Sequence, residues 1–356
     1  MKTLTRTLTI IFVFVFVAAV AAAGIGFAVS GFDVGAFTKS FGISVSNESD
    51  KVEVPEFNGE SYHTIKIDVS SSDVVLKASS DNVFRITYYE NEERYTTEFS
   101  NDGGIVKLEQ KPKPFKWTML APSINIRKND TATIEVPRSF DGVLDLQSRS
   151  GDITVTAIFD WLTTASIKVI SGNIKVTELS VFGNVAIEAV SGNVTVNSLS
   201  AAAVTAKATS GNIRLTAVRT DGKLTTETRS GDITVTDAIT DTLDANATSG
   251  RININNSQID KLAKARTTSG NIRFTGTNAG SYDANATSGN ITFSMTGKEK
   301  DDFRIEFSIT TGTIKIGELK ASGINASYTS GDLSATLVKA KATSGNVTIT
   351  FNRISN

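Results

Sequence analysis

A serine-glycine dipeptide, once threonine-glycine, recurs from residue 150 to residue 345 of this 356-residue chain at intervals close to twenty residues. Its glycines are Gly151, Gly172, Gly192, Gly211, Gly231, Gly250, Gly270, Gly289, Gly312, Gly331 and Gly345. The steps between them are 21, 20, 19, 20, 19, 20, 19, 23, 19 and 14 residues. A period this regular is the mark of a stacked repeat, in which each unit buries its apolar face only against its neighbours.

Counted from the glycine, the second residue onward is aliphatic in every repeat, from Ile153 to Val347. The fourth is apolar throughout, and the third, between them, is polar. Apolar-polar-apolar alternation is the period of a strand with one buried face, and the β-branched content agrees. Seven residues before the glycine stands another apolar column (Leu144, Ala165, Val185, Val204). Five before it, from Gly211 on, alanine predominates: Ala206, Ala245, Ala265, Ala284, Ala326, Ala340. Large side chains after the turn therefore face small ones before it, as a thin, close-packed core requires.

The residue after the glycine is Asn173, Asn193, Asn212, Asn271, Asn290 or Asn346 in six repeats and Asp152, Asp232 or Asp332 in three. Asn and Asp suit turns because they hydrogen-bond nearby backbone and tolerate left-handed conformations. Stacked, they form a turn ladder of structural character. A ligand site would need clustered acids, and the three aspartates lie several repeats apart. The fold expected is all-β: a parallel β-solenoid of about eleven rungs of ~20 residues. At about 4.8 Å per rung the rod is on the order of 50 Å long. A β-sandwich is the alternative, but it would not keep a constant step.

Lys2 and Arg6 precede an apolar run over 8–29. At about 1.5 Å per helical residue the run is long enough to cross a bilayer. The basic flank places 1–7 in the cytoplasm and the rest outside. A cleaved signal peptide, with Ala21-Ala22-Ala23 near its cleavage site, is the alternative and gives a secreted protein. Residues 30–59 read as a tether and 60–140 as an irregular, antiparallel-looking β cap, followed by the solenoid over 141–356. All five prolines precede the repeats, consistent with rungs hydrogen-bonded on both sides.

The chain has no cysteine and a single histidine, His63, and its formal net charge is −1. Thiolate chemistry and disulfides are excluded, and bulk charge gives no reason to expect nucleic acid. No cofactor or metal is expected. One loop breaks the pattern: Lys113, Phe115, Lys116, Trp117 and Met119 combine cations with apolar groups between prolines, a candidate contact for a partner or glycan. The other reading is a loop that tucks its aromatics over the core.

The stretch 133–155, reading TIEVPRSFDGVLDLQSRSGDITV, resembles the putative-adhesin family of bacterial β-strand-repeat proteins. There a strand ending in proline leads into the first S-G-D/N-I turn and further such turns follow. The resemblance covers roughly 60–350. It implies an envelope or surface module, commonly behind one membrane anchor, often associated with cell-envelope stress systems, and with no catalytic motif. The chain departs from the pattern at Arg251 and Thr313, where the turn Asn/Asp is replaced, and in the final 14-residue step.

The function expected is a membrane-anchored extracellular binding or scaffold module, adhesin-like and not an enzyme. Its partners are the membrane and either an envelope glycan or a membrane protein. An envelope-stress regulatory or self-polymerising subunit is the alternative, because no separate cap follows the last repeat and end-to-end stacking would cover its edge. A polysaccharide-active β-helix enzyme ranks lower, since the outward positions lack a dense acidic cleft.

Overall fold

The computed structural model describes residues 50–54, 62–81, 83–90, 95–113, 131–157, 159, 162–296 and 298–352. All lie in the larger of two units, Ser49–Pro114 with Asn129–Asn356. The run at 8–29, most of the tether and residues 114–120 of the aromatic loop fall outside the described residues, and Asp50–Glu53, expected as tether, is instead a strand paired with Arg85–Glu90. Among those described, no helix is long and apolar enough to cross a membrane.

Two parallel ladders carry the fold, one from the strand before each Ser-Gly turn and one from the strand after it. In spatial order the first ladder is Ile105–Pro112, Thr64–Val69, Val143–Ser148, Thr164–Ser171, Asn184–Ser191, Ala203–Ser210, Lys223–Ser230, Ile239–Ser249, Gln258–Ser269, Asn278–Ser288, Thr336–Ser344 and Phe303–Ile316. The second is Thr131–Val136, Asp73–Ala78, Ile153–Thr156, Ile174–Ser180, Val194–Ala201, Ile213–Thr220, Ile233–Thr236, Ile252–Asn255, Ile272–Thr275, Ile291–Thr296, Val347–Asn352 and the end of Phe303–Ile316. A short third stretch completes the middle rungs: Leu179, Leu199 and Val218 stand in register there. The parallel solenoid is present as expected, with two further rungs contributed by 64–136.

The core lies between the ladders. Val155, Val176, Val196, Leu215, Val235 and Ile254 on the second ladder are 0 % exposed. Ala206, Ala245, Ala265 and Ala284 on the first are also 0 % exposed. Both ends are aromatic. Phe84, Phe140 and Phe159 meet edge to face near the N-terminal end. Near the other end Phe274 and Phe293 stack with centroids 5.1 Å apart, and Phe293 stacks on Phe307 at 5.9 Å.

The turn glycine is required twice over. Gly231 has φ +146°, and a Cβ there would lie 2.1 Å from the carbonyl oxygen of Gly211 on the rung before. Only a residue without a side chain takes this conformation at this distance. Six residues later the chain turns again, with positive φ at Ser198, Ala217, Asp237, Asn256 and Gly276 in five successive rungs. Asp, Asn and Gly suit this left-handed corner; Ser198 and Ala217 occupy it under strain.

Both ends depart from the sequence expectations. Residues 60–140 are not simply an antiparallel cap. The rung Thr64–Ala78 is sandwiched in parallel between the Gly151 rung and the outer pair Ile105–Pro112 with Thr131–Val136. The antiparallel capping is done by Tyr95–Asp102, Arg85–Glu90 and Asp50–Glu53.

At the other end the spatial order leaves the chain order. Thr336–Asn352 inserts between the Gly289 rung and the Gly312 rung, so the last stretch of chain forms the penultimate level. Leu319–Ile324 and Ser327–Ser330 then lie antiparallel on the outside of Phe303–Ile316. The expectation of an uncapped last strand is thus corrected, and this insertion accounts for the steps of 23 and 14 residues. Gly331 makes no rung: Asp332–Ala335 is a turn, and Leu333, expected inside, is 84 % exposed.

Candidate contact surface

The turn residues singled out from sequence come together along one edge. Asp73 Oδ1 accepts from the backbone N–H of Asp152 at 2.8 Å, and Asp152 Oδ1 from Asn173 at 2.7 Å. Asn173 Oδ1 then accepts from Asn193, Asn193 from Asn212, Asn212 from Asp232, and Asp232 from Arg251 at 2.8 to 3.0 Å. Arg251 has no acceptor, so the relay stops there. It restarts at Asn271 and passes through Asn290 and Asn346 to the N–H of Thr313. Each side chain thus satisfies a donor of the next rung, a structural task. Asp332 is not in the relay; its carboxylate accepts from Ser334 instead. Gly151, Gly172, Gly192, Gly211, Gly231, Gly250, Gly270, Gly289, Gly345 and Gly312 line the same edge, each against the previous level's backbone carbonyl.

The aromatic loop gives no site here. Lys113 is exposed at the end of the outermost rung, and Phe115, Lys116, Trp117 and Met119 lie outside the described residues.

A different surface is visible on the outer face of the first ladder. Four residues before the turn glycine, Glu227, Asn246, Arg266, Asn285 and Lys341 stand in direct register on five successive levels. Two residues before the glycine, Thr248, Thr268, Thr287 and Thr343 form a neighbouring exposed row. Together these rows border a groove of about 480 Å³. Its floor is buried: Thr228 and Thr267 donate their hydroxyls to the carbonyls of Gly211 and Gly250, each at 3.2 Å. The other half of the same face holds a second, more apolar groove of about 460 Å³ bordered by Val143, Ser166, Ala186, Thr205 and Thr225.

The acids beside the polar groove are already engaged. Burial alone would raise the Asp244 carboxyl, but bonds from Lys223 and Asn246 and the nearby Lys264 outweigh it and hold it low. Asp283 accepts from Asn285 at 2.7 Å and from Arg266 at 3.3 Å. What faces outward is threonine hydroxyls, amide groups, the cations Arg266 and Lys341, and Glu227, which is ion-paired with Lys207 at 3.1 Å, at a repeat of about 4.8 Å. Such an array hydrogen-bonds an extended polar chain; it holds no nucleophile paired with a base. Among the described residues no group of three or more His, Asp or Glu is placed to hold a metal ion. Sequence reading passed over these positions because polar residues alternating with alanine look like ordinary solvent-facing strand.

The family model described as Toastrack DUF4097 matches residues 62–306, more than half of the chain. The chain belongs to the Toastrack family. The resemblance read from 133–155 therefore holds, and the match spans both the inserted N-terminal rung and most of the repeats. No curated protein matches the sequence.

Solved structures similar to this Toastrack chain include one from Parabacteroides distasonis ATCC 8503 described as a putative lipid binding protein. It shows 20 % identity and a TM-score of 0.43, covering 86 % of this chain and 99 % of that one. A putative adhesin from Bacteroides fragilis NCTC 9343 is 12 % identical with a TM-score of 0.35, over 86 % and 100 % of the two chains. A putative adhesin from Parabacteroides merdae ATCC 43184 is 14 % identical with a TM-score of 0.36, over 69 % and 95 %.

Proposed function

We propose that this chain is an adhesin-like binding and scaffold module of the cell envelope, held at the membrane by the run at 8–29, with the solenoid outside. The observation that carries the reading is the register of Asn246, Arg266, Asn285 and Lys341 beside the threonine row, a repeating array on a rigid face. Its fitting ligand is a linear polyhydroxylated or anionic polymer such as an envelope glycan, bound through many weak hydrogen bonds spaced by the rungs. The chain acts without catalysis in this reading, because Asp244, Asp283 and Glu227 on the face are engaged by Lys223, Asn246, Asn285, Arg266 and Lys207.

The test is retention of purified wall polysaccharide by the full-length protein in detergent micelles, with Arg266→Ala/Lys341→Ala beside the wild type. Binding that falls tenfold or more in the double variant is expected. Binding that is absent, or unchanged in the variant, overturns the contact surface. In-cell cross-linking that captures one stoichiometric membrane protein instead would favour the regulatory-subunit alternative.

A further inference from the structure

The C-terminal insertion carries an inference that goes beyond the contact surface and does not depend on it. Thr336–Asn352 fills a slot with two walls. On one side it pairs in parallel with Asn278–Ser288 and Ile291–Thr296, on the other with Phe303–Ile316. Val338, Ala340, Ala342, Val347 and Ile349 are 0 or 1 % exposed within it. The turn relay also passes through it, from Asn290 to Asn346 to Thr313. The slot therefore fits this sequence and register.

The segment reaches its slot by a short hinge. After Ser327–Ser330 on the outside of Phe303–Ile316, residues 331–335 carry the chain around to the inner side of the same strand. Gly331 has φ +101°, a conformation that glycine tolerates and other residues rarely adopt. Ile324, Leu333 and Leu319, at 78, 84 and 51 %, are the most exposed aliphatic side chains among the described residues, and all three lie in the hinge or the cap strand leading to it. In the closed chain they leave apolar side chains open to solvent.

We propose that the partner for this slot is a second copy of the chain: two copies exchange Thr336–Asn352, each completing the other's penultimate level. Exchange re-forms every contact of the closed state between chains, so it sacrifices no pairing and is governed by concentration and by the hinge. In the exchanged pair the two hinges cross, and Leu333 and Ile324 gain the partner's apolar surface. The product is a closed two-fold dimer, unlike the open-ended polymer that bare edges would form.

The chain contains no cysteine, so engineered cysteines report cleanly. Thr292 and Thr348 are register partners across the slot wall, both half-buried, and neighbouring strands lie within disulfide reach. Two full-length single variants, Thr292→Cys and Thr348→Cys, are co-expressed and oxidised. Only exchange joins one to the other, giving a covalent heterodimer of twice the chain mass on a non-reducing gel. A control pair, Thr154→Cys with Thr348→Cys, is expected to give less than a tenth of that product. The double variant Thr292→Cys/Thr348→Cys checks the geometry by closing its disulfide. Heterodimer no more abundant than the control overturns the proposal. So does a double variant that cross-links solely within one chain together with a wild type of single-chain mass by light scattering.

Discussion

Thr226 is the side chain at which the core is least satisfied. It stands in the inward column that holds Ala206 and Ala245 on neighbouring rungs, is 0 % exposed, and its hydroxyl has no hydrogen-bond partner. A buried hydroxyl without a partner forfeits its hydration and gains nothing in return. Thr226→Val keeps the shape and removes the orphan oxygen. It is expected to raise unfolding stability by about 1 kcal/mol, read as a higher denaturation midpoint at unchanged slope. An unchanged or lower midpoint would mean that the hydroxyl is satisfied in solution. Thr220 and Thr240 show the contrast: their hydroxyls bond each other at 2.6 Å, and Thr240 also donates to Gly222 O at 2.9 Å.

Among the elements, the turn relay has one gap that invites repair. Arg251 donates its backbone N–H to Asp232 but offers no acceptor to the rung of Asn271, and its exposed ion pair with Asp232 at 3.2 Å is of a kind worth little. Arg251→Asn restores an acceptor and is expected to stabilise by about 0.5–1 kcal/mol, whereas Asn212→Ala, which strands the N–H of Asp232, costs about 1 kcal/mol; parallel urea titrations of the two variants check the opposite signs. The relay illustrates how far the sequence could be read. Strand period, turn chemistry and the side on which the core lies follow from local pattern, because every repeat meets the same neighbour in the same way. The ends do not follow, because Gly331-Asp332-Leu333 matches the repeat motif yet serves as a hinge. Which strand edge receives Thr336–Asn352 is settled by pairing between distant segments. The steps of 23 and 14 residues flagged an irregularity without saying that a rung was displaced. The groove was hidden for the opposite reason: Asn246, Arg266, Asn285 and Lys341 are of three residue types, and only the register makes them one row.

For the whole molecule, stability is bounded at both pH extremes by different parts of the rod. Near the N-terminal end Glu135 is held below its usual range by Lys77 and Arg85, and Glu109 by Lys107 and Lys111. Depressed carboxyl values mean that this stability is present above the unfolded value of about 4.3 and is lost as pH falls through the folded values. Hydrogen exchange on an acid series is expected to show 105–112 and 131–136 loosening ahead of the middle rungs. Near the other end burial pushes the Tyr282 phenol up to about 12, against a smaller lowering by a backbone hydrogen bond from Ala279, while its hydroxyl donates to Thr277 O 2.7 Å away. A raised phenol contributes stability below the unfolded value of about 10 that disappears as pH rises through about 12. Ultraviolet titration should find tyrosine ionisation that accompanies unfolding in alkali, and its amplitude should fall in Tyr282→Phe.

The identical turn on successive levels also bears on how such a chain changes over generations. From Gly172 to Gly289 each rung presents the next with the same glycine contact and strand register. Duplicating or deleting one segment of about twenty residues there would re-create the junctions on either side and leave both specialised ends untouched. Length is therefore a free parameter, adjustable in increments of about 4.8 Å, and with it the number of groove positions that a polymeric ligand meets. Recombination between near-identical repeats could retune reach and avidity in one step, without passing through a misfolded intermediate sequence.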